Sequence, residues 1–452
     1  MFNKVFILDF IQRNMKKPYK KPEPGDKVEI SINGKNEIGI LLESHDRGVL
    51  LLKLDNGYNV GFKKEDISEI KVVEQGSALQ ENIESGFDGK TEGKMSGKKP
   101  IIDFIITGGT ISSKLDPKTG GVKDLTDSKE FFKMYPEIFE KTDVRIKNPF
   151  MKWSENMDSK DWIRIAKLVE KSLNDPHVKG VIISHGTDFL HYTASALSFM
   201  LGKLNKPVVL TYSQRSSDRG SSDARLNLLC SANMALSDVA EVMLVGHATS
   251  NDDYCYALQG NKCRKMHTSR RDTFRAINCK PIAKVWGDGK IEFLRNGFNK
   301  RNKEKVKADA VFDDRIGLIK FYPGQDPGIL DYYRKKGYRG VIIEMSGLGH
   351  VITGGSNNWI SKLKEVIGKR LFVYSVAQTI YGRLDAFVYE AGRKIQDTGV
   401  VYLDDMLSET ALVKLGWVLG HKEWRGNVAT SKKMKENIAN EFNKRLGSEF
   451  LE

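Results

Sequence analysis

The clearest structural signal in this chain is residues 101–110, which read Ile101-Ile102-Asp103-Phe104-Ile105-Ile106-Thr107-Gly108-Gly109-Thr110. Five apolar residues in six positions predict a strand that is buried on both faces, as in a parallel sheet. The two glycines that follow allow a sharp turn and leave room for a small molecule to approach the backbone. We therefore expect Thr110 at the carboxyl end of a parallel strand, where open α/β sheets bind their ligands.

Strands and helices alternate after this stretch. Apolar runs predict strands at 178–183, 207–211 and 239–245, and helices are predicted at Tyr192–Leu204 and Ala224–Ser237. This alternation is typical of a doubly wound parallel sheet. It predicts a larger α/β domain over residues 99–305, which is expected to carry the active site.

The alternation restarts after a basic, irregular stretch near residues 305–315. Strands are predicted at 316–322, 340–345 and 371–376, which indicates a smaller C-terminal α/β domain over 306–425. Residues 426–452 are predicted to be a basic helical tail, with an amphipathic pattern over 430–450. That helix is expected either to pack on the protein or to form a partner surface.

The amino-terminal part has a different pattern. Residues 1–22 look like an extension that is disordered or lies outside the mature protein. Over 23–73, residues such as Val28, Ile30 and Ile32 alternate with polar ones, and Asn56-Gly57 is a strong hairpin signal. Four or five short strands in this length predict a small all-β SH3-like barrel. Residues 74–98, rich in Gly, Ser, Glu and Lys, are predicted to be a linker.

Length and composition indicate a globular protein with more than one domain. A chain of 452 residues exceeds one ordinary domain, and 40% apolar and 29% charged residues are globular values. There are 72 Lys and Arg against 58 Asp and Glu, a formal net charge of +14. This excess favours a polyanionic partner such as RNA, although a basic surface also serves solubility.

The cellular compartment is predicted from what the sequence lacks. Its four cysteines show no zinc-binding spacing, which favours free or buried thiols in a reducing compartment; they are Cys230, Cys255, Cys263 and Cys279. No apolar run approaches the roughly 20 residues that a membrane span needs. The first apolar run is followed by basic residues and by no small-residue cleavage site. We therefore expect a cytoplasmic protein without a membrane partner.

Four segments carry groups suited to chemistry. They are Thr107-Gly108-Gly109-Thr110-Ile111, His185-Gly186-Thr187-Asp188, Trp153-Ser154-Glu155-Asn156-Met157, and the run from Arg264 through Lys265 to Phe274. Two of them follow predicted buried strands, so their loops are expected to converge at one edge of the sheet. A threonine hydroxyl is a weak nucleophile and needs a neighbouring base, which a lysine can provide. No phosphate-binding G-x-x-x-x-G-K-[ST] motif is present.

Together these segments resemble the bacterial-type L-asparaginase family, over roughly residues 99–425. Within that family the chain is most similar to the branch formed by the D subunits of archaeal glutamyl-tRNA(Gln) amidotransferases. Ordinary asparaginases lack an amino-terminal barrel, whereas this branch carries one. Further segments typical of the branch are 213–219, 249–255 and 265–274. The first 22 residues lie outside the resemblance.

The resemblance implies roles for individual residues. Thr110 is the expected nucleophile, forming a γ-glutamyl ester, with Thr187 as proton relay, Asp188 as orienting partner and Lys265 as proton shuttle. The alternative assignment, in which Thr187 attacks, stays open. Singly, Thr110 and Asp188 are also explained as a turn residue and a helix cap.

Substrate binding is also implied by the resemblance. Ser154 and Glu155 match the positions that hold the α-carboxylate and α-ammonium of the substrate, and Asp188 is expected to share the ammonium contact. Backbone amides at Gly109 and Gly186 are expected to stabilise the oxyanion. His185 and His350 are predicted to be structural.

The implied activity is that of a glutaminase subunit of a ligase that uses glutamine as amido donor. The ammonia passes to the E subunit of the amidotransferase, which uses ATP and Mg²⁺ to convert Glu-tRNA(Gln) into Gln-tRNA(Gln) and makes most of the tRNA contacts. No cofactor or metal is expected in this chain. Members of the branch form a dimer of D subunits flanked by two E subunits, a heterotetramer.

Two other functions remain as alternatives. One is a free L-asparaginase or glutaminase. However, the expected mobile flap, residues 114–121, lacks the tyrosine that free asparaginases place there. The other is a non-catalytic RNA- or protein-binding scaffold, which the joint presence of Thr110, Thr187, Asp188 and Lys265 argues against.

Overall fold

The computed structural model describes residues 22–42, 44, 48–54, 59–75, 99–115, 122–124, 136–215 and 221–443. The chain divides into two compact units. The first contains the amino-terminal strands, and the second contains both α/β sheets. Residues 1–21 of the predicted extension and the Asn56-Gly57 turn lie outside the described residues, as do residues 76–98 of the predicted linker and 116–121 of the expected flap.

The amino-terminal unit is all-β, as predicted. Its strands are β1 (Lys27–Ile32), β2 (Lys35–Leu42), β3 (Val49–Leu54), β4 (Asn59–Lys63) and β5 (Ile67–Glu74). They form an antiparallel sheet in the order β4-β3-β2-β1-β5. Val28 and Ile30 are fully buried while their neighbours are half-buried, which is the period-2 pattern that the sequence predicts.

The larger α/β sheet has eight strands. They are β6 (Ile101–Ile106), β9 (Asp143–Lys147), β10 (Val178–Ser184), β11 (Val208–Thr211), β12 (Val242–His247), β13 (Cys255–Gln259), β16 (Ala283–Val285) and β17 (Ile291–Phe293). Strands β9-β6-β10-β11-β12 are parallel, and β13, β16 and β17 extend the sheet antiparallel. The predicted α/β class is confirmed, with an antiparallel extension that sequence patterns did not reveal. The described residues also form two short hairpins, β7 (Ser113–Leu115) with β8 (Val122–Asp124), and β14 (Cys263–Lys265) with β15 (Phe274–Ala276).

Helices cover both faces of the parallel part. They are α1 (Pro136–Lys141), α2 (Ser159–Leu173), α3 (Leu190–Met200) and α4 (Ala224–Leu236). Alternate strand residues enter two cores, so that Ile183 packs with α2 and α3 while Ile182 packs with α4. This is the doubly wound arrangement, and it explains why the strands are apolar on both faces. Helix α3 ends at Met200, four residues before the predicted end, and Gly202 follows it with a positive φ of 57°.

The second α/β sheet is smaller and entirely parallel. Its strands are β18 (Ile316–Lys320), β19 (Gly340–Met345), β20 (Phe372–Ala377) and β21 (Val401–Tyr402), with helices α5 (Ile329–Lys335), α6 (Trp359–Gly368) and α7 (Glu390–Gln396). Helix α8 (Ser408–Gly420) joins the same core as α3, and Ser195 Oγ lies 3.1 Å from Thr410 Oγ1. The two α/β sheets therefore share one hydrophobic core, in which helices α3 and α8 lie.

The last described helix, α9 (Asn427–Lys435), is shorter than the helix predicted over 430–450. Residues 436–443 have no regular secondary structure, because the buried carboxylate of Glu441 accepts the backbone N–H groups of Ile438 and Ala439 in place of helical partners. Glu441 also pairs with the buried Lys414. Residues 444–452 lie outside the described part, and the domain limits drawn from the sequence stay predictions.

None of the helices in the described ranges has the length and apolarity that crossing a bilayer requires. Within the same ranges, no group of three or more His, Cys, Asp and Glu side chains is arranged to hold a metal ion.

Candidate active site

Strand register brings two of the predicted motifs to the same level. In the parallel pair β6 and β10, Ile106 lies opposite Ser184, so the threonine turn (107–110) and the histidine turn (185–188) leave the sheet side by side. Thr107 links them, since its Oγ1 donates to Ser184 O at 2.7 Å. The expected convergence of these turns at the carboxyl edge is therefore observed.

Glycines allow these turns to touch through their backbones. A Cβ on Gly109 would lie 2.6 Å from the carbonyl carbon and oxygen of His185, and a Cβ on Gly108 would lie 2.3 Å from Lys152 O. Both glycines have positive φ, 87° and 127°. A Cβ on Gly186 would in turn meet Ser154 Oγ at 3.0 Å. The threonine turn, the histidine turn and the serine turn (152–156) thus form one closely packed cluster.

Thr187, Asp188 and Lys265 are in direct contact. The Nζ of Lys265 donates to Thr187 Oγ1 and to Asp188 Oδ1, both at 2.8 Å. The Lys265 side chain is only 10% exposed, whereas that of Asp188 is 64% exposed. An ammonium has three N–H groups, so one remains for a substrate or a water molecule. The arrangement can orient a hydroxyl and exchange a proton with it.

Lys265 is held in place by the hairpin that carries it. It ends β14 and lies opposite Phe274 of β15. Three residues earlier, Lys262 forms a buried 2.9 Å ion pair with Asp405, which follows the smaller sheet. Arg270 on the loop of the hairpin and Arg275 in β15 both pair with the buried carboxylate of Asp272. A lysine in such a framework has little freedom to leave Thr187.

The serine turn is held in place by hydrogen bonds to helix α2. Asp158 caps this helix in a capping box with Asp161, and Asp161 also accepts Lys152 Nζ at 2.8 and 2.9 Å. Ser154 begins a 3₁₀ turn and is buried, while Glu155 is exposed with its carboxylate 3.5 Å from Ser154 Oγ. The pair presents one hydroxyl and one carboxylate beside Gly186.

His185 is structural, in line with the sequence prediction. Its Nδ1 donates to Gly186 O at 2.8 Å, which leaves Nε2 to accept from Thr193 Oγ1 at 2.8 Å. Trp162 Nε1 donates to the same hydroxyl at 3.0 Å. Burial lowers the pKa of His185 to about 4, so the ring is neutral and holds the histidine turn rather than exchanging protons.

A second pair of buried groups, His191 and Glu409, lies near Lys265 and has shifted pKa values. Burial, together with the nearby positive charge of Arg264, lowers the pKa of His191 on α3 to about 3. Burial raises the pKa of Glu409, whose carboxylate lies 3.6 Å from Arg264. Because His191 is neutral, the cation in contact with Thr187 is Lys265 alone among these groups.

Of the residues predicted for the site, Thr187, Asp188, Lys265, Ser154, Gly109 and Gly186 are adjacent, and Glu155 lies at the rim. Thr110 opens a 3₁₀ turn directly after Gly109 and is half-buried. Among the described residues, no hydrogen bond joins Thr110 to Thr187 or Lys265. Residues 116–121 of the expected flap lie outside the described part.

Two contributors were missed by sequence reasoning. Thr107 ties the threonine turn to β10, and Lys152 N donates to Thr107 O at 3.0 Å, so both hold the cluster together. The only local signal was the paired threonines around Gly108 and Gly109. For Lys152 there was none, because its partners lie on separate elements.

Family models match three consecutive parts of the chain. The amino-terminal domain of asparaginase matches residues 101–298, and the glutaminase/asparaginase C-terminal domain matches residues 315–430. The GatD N-terminal domain matches residues 22–73. The cluster described above lies entirely within the asparaginase match.

Whole-chain comparisons agree. The D subunit of glutamyl-tRNA(Gln) amidotransferase from Pyrococcus furiosus is 46% identical over 404 residues, 89% of this chain and 88% of that protein. The protein of the same name from Pyrococcus abyssi is 48% identical over 374 residues, 83% of each. The solved thermostable L-asparaginase of Thermococcus kodakarensis matches with a TM-score of 0.68 and 27% identity over 99% of its length but 76% of this chain. The chain therefore belongs to the family of glutamyl-tRNA(Gln) amidotransferase D subunits, which is built on the asparaginase fold.

Proposed function

We propose that this chain is the glutaminase subunit of a tRNA-dependent amidotransferase and releases ammonia from glutamine. The observation that carries the proposal is the contact of Lys265 Nζ with both Thr187 Oγ1 and Asp188 Oδ1, beside the Gly109–His185 contact that holds the Thr110 turn. A hydroxyl activated by a lysine is suited to opening a side-chain amide. The names of the relatives support the amidotransferase setting.

In the proposed reaction, Thr110 Oγ attacks the side-chain carbonyl carbon of glutamine. Its proton passes through the Thr187–Lys265 pair to the amide nitrogen, the C–N bond breaks, and ammonia leaves a γ-glutamyl ester on Thr110. Backbone N–H groups of Gly109 and Gly186 stabilise the oxyanion. Water then opens the ester by the reverse proton path and releases glutamate.

Substrate selection is assigned to the serine turn. The buried hydroxyl of Ser154 and its backbone bind the α-carboxylate of glutamine, and the carboxylates of Glu155 and Asp188 bind its α-ammonium. Ser154 lies next to Gly186, Glu155 lies next to Ser154, and Asp188 lies next to Lys265. Both of these groups are attached to the α-carbon, so the contacts fix that end of the amino acid. The distance from it to Thr110 then distinguishes glutamine from asparagine, whose side chain is one methylene shorter.

The ammonia is passed to a partner, the E subunit of the amidotransferase, in a heterotetramer of two D and two E subunits. That partner binds ATP and Mg²⁺ and uses the ammonia to convert Glu-tRNA(Gln) into Gln-tRNA(Gln). This chain supplies the nitrogen and needs no cofactor for its own step.

The test is ammonia release from glutamine and from asparagine, with and without the E subunit and Glu-tRNA(Gln). Glutamine turnover should rise sharply in the full complex. Thr110→Val should abolish it, whereas Thr110→Ser, which keeps a hydroxyl, should retain part of it. Acid-quenched digests should carry a γ-glutamyl adduct on the Thr110 peptide, and an adduct on the Thr187 peptide would reverse the assignment of the two threonines.

A free L-asparaginase is the second candidate, favoured by the solved asparaginases that share the fold. These proteins match along almost their whole length yet cover 76% of this chain, which leaves about a quarter of it without a counterpart. Fast asparagine turnover by the isolated chain, unaffected by the E subunit, would establish this candidate. Absence of ammonia release from either amino acid in the complex would favour a non-catalytic scaffold.

A further inference from the structure

The amino edge of the larger sheet, opposite the catalytic turns, carries an excess of positive charge. The segment 299–307 crosses this edge: Ala240 N donates to Asn299 O beside β12, and Asn302 N donates to Asn205 O beside β11. This segment contains five cations and one acid, Glu304. The catalytic turns follow the carboxyl ends of β6 and β10, so the two surfaces lie at opposite ends of the same strands.

We call this surface the basic edge. It consists of Lys179, Lys203, Lys206, Lys300, Arg301, Lys303, Lys305 and Lys307. Lys206 and Arg301 are half-buried, and the other six are exposed. In the described part of the chain, none of the eight makes an ion pair with a carboxylate within 4.0 Å, although Asp175 and Asp238 lie near enough to influence Lys206 and Arg301.

The two half-buried cations bond to neutral acceptors. Arg301 donates to the carbonyl oxygens of Ser237, Lys179 and Ala235. Lys206 Nζ donates to the carbonyl oxygens of Leu173 and Asp175 at 2.6 and 2.7 Å. Carbonyl dipoles orient these side chains but leave their full charges uncancelled. Each cation also keeps unused N–H donors.

These charges repel one another. Burial lowers the pKa of Lys206, Asp175 raises it, and Lys179 and Arg301 lower it further. Asp175 is itself paired with Arg145 at 2.9 Å, so it offsets only part of the excess. A groove of about 490 Å³ opens among Lys179, Lys206 and Arg301. An anion placed in this groove would relieve the repulsion.

We propose that the basic edge binds the sugar–phosphate backbone of an RNA. Protein interfaces need an apolar centre, yet none of the large exposed apolar side chains in the described ranges belongs to this surface. Spaced, mostly exposed cations fit phosphates, which dominate nucleic-acid interfaces. The choice of RNA over DNA rests on the proposed function, whose acceptor is an aminoacyl-tRNA.

The surface is separate from the glutamine site, because it lies at the other end of the strands. RNA bound here therefore leaves the catalytic turns open to glutamine. Its contribution is to hold the tRNA on the complex while the partner processes the acceptor end.

The test is binding of labelled tRNA to the full chain, followed by fluorescence anisotropy between 50 and 200 mM KCl. The variant K300Q/K303Q/K305Q/K307Q removes four exposed charges whose side chains make no described hydrogen bond. The matched control, K167Q/K335Q/K336Q/K364Q, removes four exposed charges, without ion pairs in the described ranges, from helices α2, α5 and α6 and their ends.

The edge variant should bind tRNA at least ~10-fold more weakly at 100 mM KCl. The slope of the logarithm of its binding constant against the logarithm of the salt concentration should be shallower by roughly 3, because each lost phosphate contact reduces this slope by about 0.7 to 0.9. The control should stay within about 2-fold of the unmodified chain. Equal weakening of both variants, or no tRNA binding by the unmodified chain at 50 mM KCl, would overturn the proposal. The proposal would also be overturned if polyglutamate displaced the labelled tRNA as strongly as unlabelled RNA does at the same concentration of negative charge. That result would indicate an acidic protein as the partner. Ammonia release from glutamine, measured separately for each variant in the complex with the E subunit, reports on the glutaminase proposal independently.

Discussion

Replacing Gly109 by alanine tests whether the contact between the threonine and histidine turns sets the position of Thr110. The added Cβ would lie 2.6 Å from the carbonyl group of His185 and 2.7 Å from Gly186 N, whereas ordinary contacts begin near 3.4 Å. The turns must therefore separate by about 0.8 Å. Because Thr110 is the next residue, the same displacement reaches its hydroxyl.

A misplacement of roughly 1 Å at a reacting group costs about 10²-fold in rate. We therefore expect the kcat for ammonia release from glutamine to fall roughly 50- to 100-fold in Gly109→Ala, with a smaller change in KM. The positive φ of 87° adds about 1 to 2 kcal/mol of backbone strain to the loss of stability.

Gly202→Ala is the matched control. Gly202 also has a positive φ, 57°, but a Cβ there would meet nothing within 4 Å. This variant should lose about 1 kcal/mol of unfolding free energy and keep its kcat. Both are measured by urea unfolding and by steady-state ammonia release in the complex. A folded Gly109→Ala variant with kcat within about threefold of the unmodified chain would refute the reasoning, as would an equal loss of kcat in Gly202→Ala.

Two further predictions concern stability. Glu441→Gln leaves the fully buried Lys414 without its counter-charge and should lower the unfolding free energy by about 3 to 5 kcal/mol. The control, Glu292→Gln, breaks a more exposed pair with Lys284 and should change the unfolding free energy little. Equal losses for the two variants in urea unfolding would contradict this prediction. Burial lowers the pKa of His185 from 6.5 to about 4, so between these pH values the unfolded state takes up a proton that the folded state excludes. Roughly 3 kcal/mol of stability that is present above pH 6.5 should therefore be lost as the pH falls to 4. His185→Gln should show a shallower loss over that pH range in urea titrations, and an unchanged slope would argue against this origin.

Much of the fold could be predicted because burial leaves a periodic trace in the sequence. The run 101–106 is apolar on both faces because cores lie on both sides of its sheet, and Val28 and Ile30 alternate because their sheet has one buried face. The antiparallel extension of the larger sheet was not predicted. Its strands β16 and β17 have three residues each, too few for a period to be recognised.

The individual motifs of the site could be predicted from the sequence, but some of the contacts that join them could not. The threonine and histidine turns could be recognised because each directly follows a buried strand, and topology sends such turns to one edge. The roles of Thr107 and Lys152 could not, because they depend on hydrogen bonds between separate elements that no local pattern encodes. The same holds for Lys262, whose buried partner Asp405 lies 143 residues away.

The sequence by itself determined the classes of element, their order and the residue types available for chemistry, since these depend on local composition and periodicity. Only the tertiary structure decided which groups meet. Lys265 is 78 residues from Thr187 in the chain and 2.8 Å from it in space, because a hairpin anchored by buried ion pairs returns it to the strand edge. The cations of the basic edge are likewise dispersed from Lys179 to Lys307 in the sequence, and become one surface only where segment 299–307 crosses the sheet.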